Sequence, residues 1–236
     1  MVRCYQVWNR GAEFNRSASS SATPYQSQIS TLEDYPGLSL PICFQPQNIN
    51  LNEIPALLDK IDDSIGISRS LTELELLFCQ NLSSLDNFLH LDYVPTIKRI
   101  RIMYCKGLIS LPTARFHNFH CLEKLSVSEC PILNWQRGLV LPSSLQTLTL
   151  AECGDYSACV PGCIENLKSL VSLNMSGWPG VTSILWLSNL ASLKELDISW
   201  FPELVSIGGA EAVAKLKRFW IFMCPKFKRE DRMVMR

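Results

Sequence analysis

The residues with the most chemistry to offer in this chain are ten cysteines and three histidines. His117-x-x-His120-Cys121 gathers metal-ligating types within one short stretch. A structural zinc site takes four such ligands, normally as two pairs. No second pair stands at a suitable spacing, so ordinary loop and surface residues are expected there. Cys153, Cys159 and Cys163 are six and four apart, which matches no zinc spacing. A Cys–His nucleophile needs a histidine beside an activated thiol in a cleft, and nothing places His90, His117 or His120 on a common working surface. Asp62-Asp63 and Glu230-Asp231 read as solvated charges. Neither G-x-x-x-x-G-K-[ST] nor G-x-G-x-x-G occurs, so no loop is built to cradle phosphates. The expectation is a protein that is not an enzyme, with no catalytic residue, metal or cofactor of its own. Sequons at Asn15, Asn81 and Asn174 carry little weight without a secretory signal.

Five of the cysteines instead mark a position in a repeat. The pattern is L-x-x-L-x-L-x-x-C-x-x-L. One copy runs Leu71, Leu74, Leu76, Cys79, Leu82, and the next runs Ile97, Ile100, Ile102, Cys105, Leu108. Further copies start at Leu122, Leu145, Leu170, Leu193 and Leu216. Cys130, Cys153 and Cys224 hold the cysteine slot, while Trp178 and Phe201 replace it in the fifth and sixth copies. The starts are separated by 26, 25, 23, 25, 23 and 23 residues. That interval is the one expected of leucine-rich repeats. Stepping back from Leu71 suggests an eighth, degenerate copy beginning at 46, with Ile49, Leu51, Ile54 and Leu57 in the apolar slots.

The x-L-x-L-x core alternates with period two, so each copy contributes a short strand with one buried face. Successive strands stack in parallel about 4.8 Å apart. The rest of each copy, as at 86–94 and 181–190, must return as short helix, 3-10 turn or extended chain. The fold class is therefore an α/β solenoid: a leucine-rich-repeat horseshoe with a concave parallel sheet. Eight strands give an inner arc of roughly 35 Å. The cysteine is expected to offer a weak acceptor to amides in the turn after the strand. Trp178 and Phe201 cannot, so local irregularity is expected in those two copies.

Composition sets limits on the rest. With 47% hydrophobic and 19% charged residues the chain is globular rather than disordered. A formal net charge of +0 excludes a global pull towards nucleic acid or anionic membrane. No apolar run approaches a membrane span, and the first residues lack a secretory core. A cytoplasmic protein with reduced cysteines is expected. The division expected is a Ser-rich linker or disordered segment over 1–45, about eight repeats over 46–228, and a charged tail over 229–236. An open solenoid end exposes core. The absence of a recognisable N-terminal cap suggests a fragment or truncated form of a larger protein.

Residues between and after the two core positions of each strand point to the concave face. In order they offer Asn48, Asn50 and Asn52; Glu73, Glu75 and Leu77; Arg99, Arg101 and Met103; and Lys124, Ser126 and Ser128. Thr147, Thr149 and Ala151 follow, then Ser172, Asn174 and Ser176; Glu195, Asp197 and Ser199; and Arg218, Trp220 and Phe222. Candidate partner-binding residues are Glu73, Glu75, Arg99, Arg101, Lys124, Glu195, Asp197, Arg218, Trp220 and Phe222. Trp220 and Phe222 beside Arg218 make the best anchor, because Trp and Arg are favoured hot-spot residues; the alternative is that the charged C-terminal tail folds over this pair as a cap. The same charges sit on neighbouring strands, so an internal ladder of ion pairs is an equal alternative.

Three phrases carry a family resemblance. They are Cys105-Lys106-Gly107-Leu108-Ile109-Ser110-Leu111-Pro112, Val160-Pro161-x-x-Ile164-x-x-Leu167-x-x-Leu170-x-x-Leu173, and Leu193-x-x-Leu196-x-Ile198-x-x-Phe201-Pro202-x-Leu204-x-x-Ile207. Over about residues 46 to 228 the chain resembles the leucine-rich-repeat region of plant intracellular nucleotide-binding disease-resistance proteins. The resemblance implies recognition of a pathogen effector, a host protein or the receptor's own switch domain in innate immunity. It implies ADP or ATP only for a nucleotide-binding domain upstream in a full protein, since this chain lacks the phosphate loop. A substrate-recruiting adaptor of a ubiquitin ligase is the alternative, favoured if an F-box-type helical module lies upstream. No small-molecule substrate, nucleic acid or membrane span is expected.

Overall fold

The computed structural model describes residues 2–4, 72–86, 89, 94–112, 116–135, 139–154, 160–164, 166–208 and 210–227. The degenerate copy expected at 46–57, with Asn48, Asn50 and Asn52, and the tail from 229 lie outside these residues.

Alternation of apolar and polar residues yields seven five-residue strands: β2 (Glu73–Leu77), β3 (Arg99–Met103), β4 (Lys124–Ser128), β5 (Thr147–Ala151), β6 (Ser172–Ser176), β7 (Glu195–Ser199) and β8 (Arg218–Phe222). Each pairs in parallel with the next, so the sheet order is the sequence order. The register steps by one whole repeat, setting Leu74 beside Ile100, Leu125, Leu148, Leu173, Leu196 and Phe219. The molecule is thus a β-solenoid with few helices. The place beside β2 is taken by a three-residue strand, β1 (Val2–Cys4), with Val2 opposite Leu74. Sequence reasoning assigned that place to the copy at 46–57.

The core is the inward row of every repeat. Ile100, Ile102, Leu125, Val127, Leu148, Leu150, Leu173, Met175, Leu196 and Ile198 are buried, as are the post-strand positions Leu108, Leu133, Ile184 and Leu204. Return segments close the far side with 3-10 turns at Phe116–Asn118 and Leu185–Asn189 and short helices at Val160–Ile164 and Ala210–Ala214. Such single-turn pieces gain little from helix propensity and hold their shape by packing. Phe116 and Phe119 meet edge to face inside, and Trp135 is buried with its indole N–H donating to the Cys153 carbonyl at 2.6 Å. Lys215 reaches across to the previous return and donates to the carbonyl of Leu190 at 2.7 Å.

The turn after each strand has one construction. The residue just before the cysteine slot adopts a left-handed backbone: Phe78, Tyr104, Glu129, Glu152, Gly177, Trp200 and Met223, with φ between 51° and 75°. In repeats followed by another described strand, its amide donates to the carbonyl ending the next strand, as in Phe78 N to Met103 O, Tyr104 N to Ser128 O and Trp200 N to Phe222 O. The cysteines then donate rather than accept, as Cys153 Sγ does to the carbonyls of Val127 and Ala151 at 2.8 Å.

This construction corrects the expected irregularity around Trp178 and Phe201. The amide of Gly177 reaches Ser199 O at 3.1 Å as in other repeats, so the slot's side chain is not needed to satisfy the turn. Trp178 and Phe201 fill the slot by stacking, ring centroids 5.6 Å apart, and the register runs through unbroken.

Candidate functional site

The outward positions of β2 to β8 form one continuous face, polar over most of its length, and the parallel register sets like positions side by side. At its β2 end Glu73 lies opposite Arg99 and Glu75 opposite Arg101. Their side chains pair: Arg99 Nη1 to Glu73 Oε1 at 2.5 Å and Arg101 Nη1 to Glu75 Oε1 at 2.9 Å. At the other end Arg218 Nη2 spans Glu195 Oε2 at 3.1 Å and Asp197 Oδ2 at 3.4 Å. The exposed pairs, Arg99 with Glu73 and Arg218 with Glu195 and Asp197, contribute about 0–1 kcal/mol each. The alternative of an internal charge ladder therefore describes seven of the ten candidates, Glu73, Glu75, Arg99, Arg101, Glu195, Asp197 and Arg218. Glu75 departs from the expected open placement. It is only 7% exposed, because Arg101 lies over it and β1 flanks its strand.

Lys124 is exposed between Arg99 and Thr147 and has no ion-pair partner among the described residues. The middle of the face, from Ser126 through Thr147 and Thr149 to Ser172 and Asn174, is a floor of hydroxyls and one amide. It offers hydrogen bonds but no anchor.

The anchor is at β8. Trp220 is 61% exposed and Phe222 45%. Sequence reasoning missed two neighbours. Trp200 and Met223, 56% and 51% exposed, occupy the left-handed position after β7 and β8. The Trp200 ring meets Phe222 edge to face at 6.3 Å, and its amide holds the Phe222 carbonyl at 3.0 Å. Four large apolar side chains thus gather at one end of the face. Such exposed patches mark interaction surfaces. The left-handed row also carries a stacked Phe78–Tyr104 pair at 4.7 Å and the neighbouring Glu129 and Glu152. The only sequence sign of this row was Gly177, which fills it in one repeat.

The buried thiols are quiet. Cys79, Cys105, Cys121, Cys130, Cys153, Cys163 and Cys224 are not joined in disulfides. At Cys105 a hydrogen bond with Cys130 lowers the pKa, but the one with Cys79, reinforced by burial, carries it up to about 12. Cys130 is pushed up by its hydrogen bond with Cys105 and by burial. Both are protonated at neutral pH and are poor nucleophiles. Among the described residues no group of three or more His, Cys, Asp or Glu side chains could hold a metal ion. No helix among them is long and apolar enough to cross a membrane. No protein-family model matches the chain, and no curated protein matches it.

Proposed function

We propose that this chain is a leucine-rich-repeat horseshoe that recognises a partner protein on the concave, outward face of its sheet. The motif resemblance supports recognition in plant intracellular defence, with an effector, a host protein or a receptor switch domain as partner. The observation that carries the reading is the gathering of Trp220, Phe222, Trp200 and Met223 on one end of an otherwise polar face. The adjacent charges are already paired, so a partner meets apolar surface without having to desolvate an isolated ion there. Aromatic anchors of this size dominate interface energies, while surrounding polar contacts shape the fit.

The test compares wild type with Trp220→Ala and Thr149→Ala in affinity capture from plant cytosol, with quantitative mass spectrometry and titration of the captured protein. Trp220→Ala should weaken binding at least tenfold, about 1.4 kcal/mol or more. Thr149→Ala should change it little. Equal affinity across the three proteins contradicts the reading. A ubiquitin-ligase scaffold captured independently of Trp220 favours the adaptor instead.

A further inference from the structure

Among the described residues, every charged side chain on the outward face but one meets an opposite charge. Arg99 and Arg101 hold Glu73 and Glu75, and Arg218 holds Glu195 and Asp197. Lys124 is exposed and has no ion pair among these residues. The register adds to its isolation. Its direct neighbour on β3 is Arg99, and like charges side by side in a sheet repel. Three cations, Arg99, Arg101 and Lys124, stand against two carboxylates, Glu73 and Glu75, so one positive charge is left uncompensated at this end of the face.

The groups around Lys124 are all hydrogen-bond donors. Arg101 stands beside Ser126, and Lys124 beside Thr147. Each arginine reaches its carboxylate through Nη1, and a guanidinium has five N–H groups in a planar fork. The hydroxyls of Ser126 and Thr147 hold no hydrogen bond among the described residues, unlike those of Ser176 and Ser199, which bond each other at 3.0 Å. Neighbouring strands lie about 4.8 Å apart, and alternate residues of a strand about 6.7 Å apart. The point midway between Arg99, Arg101, Lys124 and Ser126 is then about 4 Å from each backbone position. All four side chains rise from one face of the sheet, so one compact acceptor over that point lies within reach of all of them, with Thr147 flanking. The next carboxylates along these strands, Glu129 and Glu152, follow the ends of β4 and β5, roughly 10 Å beyond Ser126 and Thr149. They bound the positive region on that side.

We propose that Arg99, Arg101, Lys124, Ser126 and Thr147 form a binding site for a phosphoryl group. A phosphate ester carries about 1.5–2 negative charges at neutral pH and three strong acceptor oxygens. It offsets the uncompensated charge and engages the idle donors together, where a carboxylate has one charge and two oxygens. The site is an open sheet surface rather than a cleft. It therefore suits the phosphoryl group of a phosphorylated serine or threonine on a protein segment lying along the face, and free phosphate meets the same donors. The site is separate from the aromatic anchor. Thr147 on β5 stands three strands, roughly 14 Å, from β8, and neither site needs the other.

The test is an NMR titration of the isotope-labelled full chain with inorganic phosphate, acetate and a glycine-flanked phosphoserine peptide, at fixed ionic strength. Phosphate and the phosphopeptide should shift the amides of Arg99–Met103 and Lys124–Ser128 saturably. Acetate should bind at least about fivefold more weakly. Lys124→Gln should weaken phosphate binding about tenfold. Lys194→Gln removes the same charge just ahead of β7 and should leave it within about twofold. Saturation by phosphate but not by the phosphopeptide supports the site and assigns it to free phosphate. No saturable shift in β3 and β4 with either ligand overturns the proposal, as does equal loss in the two variants. Acetate binding as tightly as phosphate overturns the phosphoryl assignment. Each outcome is read without the partner anchored at β8, so failure here and failure of the partner-recognition reading are distinguishable.

Discussion

The cysteine slot shows how one residue type serves a repeat without performing chemistry. Cys130 and Cys153 are fully buried and donate to carbonyls of strand ends. A thiol fits here because it is small, apolar and a weak donor. Thiol reactivity should follow this placement. In the native protein an alkylating reagent should modify the exposed Cys121 at a rate near that of a free thiol, while Cys105 and Cys130 react at least a hundredfold slower (about two decades) until the protein unfolds. Mass spectrometry of labelled peptides reads this directly. Glu129 makes a second case. Burial, the charge of Glu152 and their hydrogen bond raise its pKa above the ordinary 4.5, with Lys106 pulling the other way. A carboxyl raised in the folded state favours folding when protonated. That contribution is complete below the ordinary value and is lost as pH rises through the raised one. Glu129→Gln should therefore raise the melting temperature at pH 7, and the gain should shrink as pH falls into the acid range. A gain independent of pH would mean that the charge is not the cause.

At the scale of elements, the left-handed turn is the joint that all seven repeats share. An L-residue pays about 1 kcal/mol or more there, and six of the seven repeats accept that cost. Glu152→Gly should therefore stabilise the fold by roughly 0.5–1 kcal/mol in urea titration, net of glycine's greater unfolded-state freedom. Gly154, one step beyond the slot at φ 73°, is a different case, because a Cβ there would lie 1.9 Å from the Leu133 carbonyl oxygen. Gly154→Ala should cost about 2 kcal/mol or more. Strands and core were legible in the sequence because period-two alternation recurs at a near-constant interval. Leu74, Ile100, Leu125, Leu148, Leu173 and Leu196 lie where that pattern puts them. The left-handed row was not legible, since Phe78, Tyr104 and Trp200 give no sign of a positive φ. The pairing of Val2–Cys4 with β2 was equally hidden. A three-residue strand separated from its partner by some seventy residues leaves no local pattern. Regularity at Trp178 and Phe201 was misjudged because the amide's partner is backbone rather than side chain.

Across the whole molecule, the sheet turns a repeating sequence into one face graded from paired charge, through hydroxyls, to aromatics. In the proposed horseshoe this face is concave, and its recognition rests on the β8 end. Because Arg99, Arg101 and Arg218 are neutralised within the sheet, partner affinity should change by no more than about twofold between low and moderate salt. A steep salt dependence would shift the recognition to Lys124 and the ion pairs. The candidate face was legible residue by residue, but its division into paired charges and exposed aromatics was not, since side-chain pairing depends on the register of the finished sheet. The central claim, recognition of a partner protein through the outward face, is tested most directly by site-specific photo-crosslinking. A photoreactive phenylalanine analogue is placed at Thr149, on that face, or at Leu185, which is 61% exposed on a return segment. The account predicts a crosslink to one heterologous protein from position 149 and none from position 185. Crosslinking from 185 alone would contradict it.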